Sequence, residues 1–217
     1  MPAPIGILGG TFDPVHNGHL RLAVELAEAL ELAEVRLVPS ARPPHRGAPI
    51  ASPGQRAKWI RVAITDEPRL RLDDRELLRR GPSYTVDTLA SLRRELPDTP
   101  LCLLMGRDVM AALDKWHEWR GLFEHAHIVL VERPDTDTEL PAAVADEVER
   151  RRVGDAADLR GATHGLVHVC TPPPLTISGT RIRELLAAGR SARYLLPDVV
   201  LEEIQDAGVY RREPAPA

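Results

Sequence analysis

The chain is 217 residues long, 43% of them hydrophobic, and its formal net charge is −4. This size predicts one domain over residues 1–217 with a well-formed core, and the interspersed charges argue against an extended nucleic-acid surface. No segment approaches the roughly 18 apolar residues of a membrane span, and no signal-peptide pattern is present. We therefore expect a cytoplasmic protein without nucleic-acid or membrane partners.

Strand-like and helical patterns alternate along the chain. The first strand-like run contains Ile5, Ile7 and Leu8 and breaks at two glycines, and apolar residues at helical spacing follow. Later strand-like runs read EVRLVPS, RLRLDD, LCLLMG, HIVLVERP and GLVHVCT. Helical patterns begin near Pro53, Tyr84, Asp108, Pro141 and Gly179. The alternation predicts an α/β fold, a Rossmann-like open and mostly parallel sheet with helices on both faces.

Some parts of the chain are expected to serve structure alone. Cys102 and Cys170 each fall inside an apolar run, which favours buried thiols in a reduced compartment over a disulfide. The segment 135–163 is interpreted as a helix with variable connections and is assigned no chemistry. The C-terminal part from about residue 178 is expected to be helical, with a frayed tail at 212–217.

The unusual residues follow the predicted strands. Residues 9–19 come after the first strand, PSARPPHR after the second, GPSYT after the third, GRD after the fourth and ERP after the fifth. Because ligands of open α/β sheets bind outside the carboxyl ends of the strands, these segments are expected to gather at one edge. The sequence therefore predicts a ligand site there.

The loop GGTFDPVHNGH joins the first strand to the first helix, a junction that favours phosphate binding. It matches neither the Rossmann fingerprint nor the Walker motif, so another cationic group must face the phosphates. His16 and His19 are expected to converge beside the helix start, where imidazoles can stabilise negative charge on a phosphoryl group. A metal-ligand pair is a weaker alternative, because no third His or Cys lies nearby. Two unrelated surface histidines are the other alternative.

A second motif, ISGTRIREL, lies at residues 177–185. Ser178 is a predicted N-cap, and Ile182, Leu185 and Leu186 form the predicted buried stripe. Thr180 and Arg183 are three residues apart and would offer a hydroxyl and a guanidinium to a phosphate. Taken alone, the segment would more often be an ordinary capped helix.

Together the two motifs resemble the paired signatures, variants of H-x-G-H and I-S-x-T-x-x-R, of a nucleotidyltransferase superfamily that joins a nucleotide to a phosphorylated partner. Three further stretches are similar to bacterial nicotinate mononucleotide adenylyltransferases: RPPHR at 42–46, GPSYTVDTL at 81–89 and WHEW at 116–119. The resemblance implies transfer of AMP from ATP, with Mg²⁺, to nicotinic acid mononucleotide, giving nicotinic acid adenine dinucleotide and pyrophosphate. Taken alone, RPPHR could be a solvated proline-rich loop, and Trp116 could be a core residue rather than a stacking surface.

The resemblance also implies roles for individual residues. Catalysis is expected from His16, His19 and Arg183, and no metal ligand is expected from protein side chains. Expected contacts with ATP are made by Gly9, Gly10, Thr11, Phe12, His16, Gly18, His19, Ile177, Ser178, Thr180 and Arg183. Expected contacts with the mononucleotide are made by Ser40, His45, Arg46, Thr85, Gly106, Asp108, Trp116, Trp119 and Arg133. Several relatives have asparagine in place of Ser40.

Two rival functions are also compatible with parts of the sequence. Another H-x-G-H transferase, acting on phosphopantetheine or a cytidine nucleotide, would lack the PPH and WHEW stretches. A nucleotide-binding regulator would have kept the fold and lost turnover, but the presence of both histidines and Arg183 argues against it. Binding measured with and without turnover separates the regulator from the enzyme.

Overall fold

The computed structural model describes residues 2–42, 47–132, 138–173 and 175–211. A seven-stranded sheet of order β3-β2-β1-β4-β5-β7-β6 crosses this part of the chain, and every pairing in it is parallel. The strands are β1 (Ile5–Gly10), β2 (Glu34–Pro39), β3 (Leu70–Leu72), β4 (Leu101–Gly106), β5 (His127–Val131), β6 (Arg152–Val153) and β7 (Val167–Cys170). The predicted open parallel sheet is thereby confirmed.

The strands are joined by helical segments. These are α1 (Asn17–Ala29), α2 (Pro53–Ala63), α3 (Arg75–Leu78), α4 (Thr85–Glu95), α5 (Arg107–Met110), α6 (Leu122–His125), α7 (Ala142–Arg151), α8 (Gly179–Ala187) and α9 (Asp198–Asp206). Short 3₁₀ turns cover Leu113–Lys115, Trp119–Gly121 and Ala156–Arg160. Local chemistry explains the starts: Pro53 occupies the first turn of α2, and the Ser52 hydroxyl accepts a hydrogen bond from the Gln55 N–H.

The core lies on both faces of the sheet. One face packs against α1, α2, α8 and α9, with Leu26, Ile182 and Val200 fully buried. The other packs against α4, α6 and α7, with Leu89, Leu122 and Val144 fully buried or nearly so. No helix within the described ranges combines the length and apolarity needed to cross a bilayer. Covering both faces leaves the carboxyl ends of the strands as the open edge.

The strand order places the site. β1 pairs with β2 on one side and β4 on the other, so the chain reverses its direction of travel across the sheet beside β1. Such a reversal opens a crevice at the carboxyl ends of the two central strands. The loops after β1 and β4, and the start of α4, border this crevice.

The structure departs from the sequence-based expectations in a few places. β1 continues through Gly9 and Gly10, which pair with Val38 and Pro39, although the two glycines were expected to break it. Segment 135–163 contains the edge strand β6 in addition to its helix, because two residues can pair with β7 without an apolar run. Cys102 and Cys170 are free thiols, but Cys170 is only partly buried. Burial raises the pKa of the Cys102 thiol to about 12.

Candidate active site

The loop after β1 folds back on itself around Phe12. Phe12 is buried and adopts a left-handed backbone conformation with φ of 50°. Its ring lies so close to Gly10 that a Cβ there would stand 3.0 Å from the ring, which explains a glycine at this position. The same ring meets the His19 imidazole edge to face, with centroids 4.9 Å apart. Phe12 therefore acts as the packing centre of the loop.

The two histidines of the loop converge, as their spacing predicted. His16 is the N-cap of α1, its carbonyl accepts from the His19 N–H at 2.9 Å, and its side chain is 4% exposed. The imidazoles of His16 and His19 stack with centroids 3.7 Å apart and an angle of 21° between planes. Two N–H-bearing rings at a helix N-terminus form a place where negative charge is stabilised.

The C-terminal motif packs directly against this loop. A Cβ on Gly18 would lie 3.1 Å from His16 Nδ1 and 3.3 Å from Ile177 Cβ, so these two side chains close over Gly18 from opposite motifs. A Cβ on Gly179 would lie 3.2 Å from the Asp13 carbonyl oxygen. Both glycines permit a close approach of two segments far apart in sequence.

The start of α8 has the arrangement expected from its sequence. The Ser178 hydroxyl accepts from the Arg181 N–H at 3.2 Å, which caps the helix. Arg183 Nη2 donates to the Thr180 hydroxyl at 3.1 Å, and Arg183 Nη1 donates to the Asp13 carbonyl at 2.7 Å. Because a guanidinium has five N–H donors, these two bonds orient Arg183 and leave donors for a phosphate. Ile182 and Leu185 are buried, whereas Leu186 is partly buried.

Ser40 and the start of α4 approach the same edge. The Ser40 N–H and hydroxyl both donate to the Gly10 carbonyl, at 2.9 and 3.3 Å. The Ser83 hydroxyl accepts from the N–H groups of Ala41 and Arg42 at 3.0 and 3.2 Å, which ties the two loops together. Thr85 begins α4 just beyond this junction and is partly exposed.

A buried carboxyl group lies behind α4. The Thr88 hydroxyl donates to Glu76 Oε1 at 2.7 Å, and Arg79 Nη1 donates to the same hydroxyl at 3.2 Å. Burial raises the pKa of the Glu76 carboxyl, an effect that its hydrogen bonds with Thr88 and Ser83 oppose. This cluster joins α3 to the first turns of α4 and thus supports the helix start at the crevice.

The tryptophans of WHEW have different environments. Trp116 is partly buried at the margin of the core. Trp119 is 7% exposed, its ring packs on Phe123 with centroids 6.4 Å apart, and the Arg120 guanidinium covers it at 4.3 Å. The Trp119 indole is thus a core side chain, and a contact of this residue with a ligand would use its backbone.

Other site candidates lie around the end of β4 or outside the described residues. Asp108 is exposed in α5, and a Cβ on Gly106 would stand 2.5 Å from its carboxylate, so the Asp108 side chain lies directly over Gly106 at the end of β4. The Tyr84 and His117 rings lie 4.3 Å apart and bring the GPSYT and WHEW stretches together. His45, Arg46 and Arg133 lie outside the described residues.

The residues that hold the loop from behind and beside it were not predicted from the sequence. Asp13 is 8% exposed and bonded to the Tyr210 hydroxyl at 2.5 Å, and Arg56 is fully buried and donates to the Thr11 carbonyl at 2.6 Å. The Asn17 side chain donates to the Tyr194 carbonyl at 2.9 Å. Asp13 lies inside a recognised motif, which was a signal in the sequence, whereas Arg56 lies outside any motif.

No protein cage for a metal ion is present within residues 2–42, 47–132, 138–173 and 175–211, where no group of three or more His, Cys, Asp and Glu side chains is suitably placed. The carboxylate in the loop, Asp13, is already bonded to the N–H groups of Ile50 and Ala51 and to Tyr210. These residues do not fit a dedicated protein-bound metal.

Two imidazoles lie at the start of α1, and an arginine from the capped helix α8 is bonded to the loop before them, where the strand order of the parallel sheet reverses. This arrangement is suited to binding nucleotide phosphates. In agreement with it, the family model described as cytidylyltransferase-like matches residues 7–185, and the chain belongs to that family.

Individual relatives show to which branch of this family the chain belongs. A Halorhodospira halophila protein named "Probable nicotinate-nucleotide adenylyltransferase" is 51% identical over 206 residues, which cover 95% of this chain and 94% of the relative. An Aeromonas salmonicida protein of the same name is 46% identical over 213 residues, covering 98% of this chain and 100% of the relative. Within the wider family, the chain is therefore a member of the nicotinate-nucleotide adenylyltransferases.

The fold is shared with solved structures. The structure titled "Plasmodium falciparum nicotinic acid mononucleotide adenylyltransferase complexed with NaAD" has a TM-score of 0.73 at 15% identity, covering 96% of this chain and 98% of that chain. A second structure of the Plasmodium enzyme, titled as complexed with APC, has a TM-score of 0.71. At this identity the likeness concerns the architecture alone.

Proposed function

We propose that the protein transfers the AMP moiety of ATP to nicotinic acid mononucleotide, giving nicotinic acid adenine dinucleotide and pyrophosphate in NAD biosynthesis. The observation that carries the proposal is the junction of the two motifs, where Arg183 donates to the Asp13 carbonyl at 2.7 Å and Ile177 closes over Gly18. This junction bonds the Arg183 guanidinium to the loop that carries the His16 and His19 imidazoles. The free thiols Cys102 and Cys170 agree with a reducing compartment, and we infer the cytoplasm.

In the proposed reaction a phosphate oxygen of nicotinic acid mononucleotide attacks the α-phosphorus of ATP. The new P–O bond forms as the bond to the β-phosphate oxygen breaks, and pyrophosphate leaves with the electron pair. This requires no protein nucleophile, so catalysis consists of positioning and charge stabilisation. His16, His19 and Arg183 would donate to the oxygens that gain charge.

The remaining proposed contacts divide between the two substrates. Proposed contacts with ATP are backbone groups of Gly9, Gly10, Thr11, Phe12 and Gly18, together with Ile177, Ser178 and Thr180. Proposed contacts with the mononucleotide are Ser40, Thr85, Gly106, Asp108, Trp116 and the backbone of Trp119, with His45, Arg46 and Arg133 beyond the described residues. We propose that Mg²⁺ enters with ATP, where it would neutralise polyphosphate charge.

The assay that tests this function measures pyrophosphate release by purified, folded protein. Release should require both ATP and nicotinic acid mononucleotide, and the dinucleotide should accumulate in equal amount. Phosphopantetheine in place of the mononucleotide, and CTP in place of ATP, are the controls for other H-x-G-H transferases. Tight ATP binding without turnover under all these conditions would favour a regulator and contradict the proposal.

We expect kcat/KM to be higher for nicotinic acid mononucleotide than for its amide. The carboxylate would accept charge-assisted hydrogen bonds from N–H groups at the start of α4, which are about twice as strong as neutral ones, giving roughly tenfold discrimination or more. Trp116→Ala should weaken binding of the acid and the amide alike, by about 1–3 kcal/mol, because stacking on the indole does not depend on the carboxylate. Trp116→Phe, which keeps a ring, is the matched control. Equal kcat/KM values for acid and amide would contradict the carboxylate contact.

Gly18→Ala should impair AMP transfer without lowering stability. The added methyl group meets the His16 ring and Ile177 at 3.1–3.3 Å, so one of them must shift, and we expect roughly a tenfold fall in kcat. The melting temperature should not fall, because alanine is favoured over glycine in helices. Gly54→Ala, in the first turn of α2 with nothing within 4 Å of its Cβ, is the control. Equal activity of both variants would show that the contact at Gly18 is unimportant.

A further inference from the structure

A buried hydrogen-bond network lies behind the loop and includes a residue from the C-terminal end of the chain. The Tyr210 hydroxyl donates to Asp13 Oδ1 at 2.5 Å, and the Tyr210 side chain is largely buried. The N–H groups of Ile50 and Ala51 donate to the same carboxylate at 2.9 and 3.0 Å. Three donors from two distant segments thus converge on one side chain of the loop, which fixes its position.

A buried cation completes the network. Arg56 is fully buried in α2, and it donates to the Thr11 carbonyl at 2.6 Å and to the Ala51 carbonyl at 3.3 Å. Burial lowers the pKa of the Arg56 guanidinium, and attraction to Asp13 opposes this effect. Because an uncompensated buried charge is costly, the Arg56 and Asp13 charges depend on each other for stability.

The backbone carbonyl of Asp13, and not its carboxylate, contacts the site residue Arg183. Its carbonyl accepts from Arg183 Nη1 at 2.7 Å, and the same carbonyl lies against Gly179 at the start of α8. One residue is therefore held from behind through its carboxylate and orients Arg183 through its carbonyl. A shift of the carboxylate moves the carbonyl with it, since the two groups belong to one residue in a tight loop.

We propose that Tyr210 is a positioning residue for AMP transfer, which acts through Asp13 to place the Arg183 guanidinium. The proposal rests on the proposed function. It extends the site to the segment after α9, which neither motif includes. Without the Tyr210 hydroxyl, Asp13 loses one of its three donors, and the Arg183 fork loses alignment with the phosphate. A positioning error of about 1 Å can cost up to roughly 10²-fold in rate.

The competing explanation is that Tyr210 only fills space. Its ring lies 6.0 Å from the Trp59 ring, and Trp59 is 1% exposed. Tyr210→Phe keeps the ring and removes the hydroxyl, whereas Trp59→Phe disturbs the same aromatic contact and keeps the hydrogen bond. The two variants therefore separate packing from positioning.

The experiment measures kcat and KM for both substrates, together with the melting temperature, in wild type, Tyr210→Phe and Trp59→Phe. For Tyr210→Phe we expect about a tenfold fall in kcat/KM for ATP, an unchanged KM for nicotinic acid mononucleotide, and a melting temperature about 5 °C lower. For Trp59→Phe we expect a lower melting temperature with near wild-type kcat/KM. Wild-type kinetics in Tyr210→Phe, or an equal loss of activity in Trp59→Phe, would overturn the proposal.

A double-mutant cycle tests the route through Arg183. If Tyr210 acts by placing the guanidinium, adding Tyr210→Phe to Arg183→Lys should change kcat/KM for ATP by less than about twofold. An undiminished tenfold effect in the Arg183→Lys background would overturn this route. If the wild-type protein releases no pyrophosphate, the proposed function fails and this proposal fails with it. If wild type is active and Tyr210→Phe is unchanged, this proposal fails alone.

Discussion

His19→Ala is expected to lower kcat by about 10²- to 10³-fold, the usual loss for one positioned transition-state donor. The His19 imidazole is stacked 3.7 Å from the His16 ring and meets the Phe12 ring at 4.9 Å, so its orientation is set before substrate binds. A preorganised donor costs no reorganisation during the reaction, which is why its removal acts on kcat. Because the His19 side chain is only partly buried, the fold should survive.

The measurement combines steady-state pyrophosphate release with thermal unfolding. His164→Ala is the matched control, because His164 is exposed and its ring nitrogen bonds to the hydroxyl of the adjacent Thr163 at 2.8 Å. The control should retain wild-type turnover. An unfolded His19→Ala protein, or one with near wild-type kcat, would refute a catalytic role for His19.

Arg183→Lys is expected to weaken ATP use although it keeps the charge. The guanidinium bonds to the Asp13 carbonyl with one terminal nitrogen and to the Thr180 hydroxyl with the other, at 2.7 and 3.1 Å. A lysine ammonium is a point donor and cannot hold both partners while facing a phosphate in the same plane. We expect KM for ATP to rise and kcat/KM to fall by roughly 10- to 100-fold.

Arg181→Lys is the control from the same helix. Arg181 is exposed, with an ion pair to Glu184 at 3.9 Å, and such pairs contribute little to stability. Its kinetics should match those of wild type. If Arg183→Lys also leaves both KM for ATP and kcat unchanged, Arg183 is not part of the ATP site.

The elements that carry the site follow from local signals in the sequence. The starts of α2, α4 and α8 were predicted within a residue. Ser52 and Pro53 begin α2, Ser178 caps α8, and α4 was recognised by its apolar spacing, since the Tyr84 side chain makes no capping bond. The convergence of His16 with His19, and of Thr180 with Arg183, also follows from spacing, since residues three apart share a helix edge. Local sequence thus specifies both motifs and their orientation on their own helices.

Local sequence does not indicate the environment of a side chain that packs against distant segments. Trp116 and Trp119 are the same residue type three positions apart, yet Trp119 is in the core against Phe123 and Trp116 lies at its margin. The difference depends on how the turn after α5 meets α6, and no periodicity encodes that in so short a segment. The continuation of β1 through two glycines likewise depends on pairing with β2.

The hydrogen bond between Tyr210 and Asp13 spans 197 positions and joins the last described turn of the chain to its first loop. The motifs determine which groups can meet a phosphate, because helix caps and side-chain spacing are local properties of the chain. Whether those groups are held in place depends on Asp13, Arg56 and Tyr210, which meet only after α2 and α9 have packed on the same face of the sheet. Burying a carboxylate is favourable only when partners from other segments are already there, and tertiary structure alone supplies them.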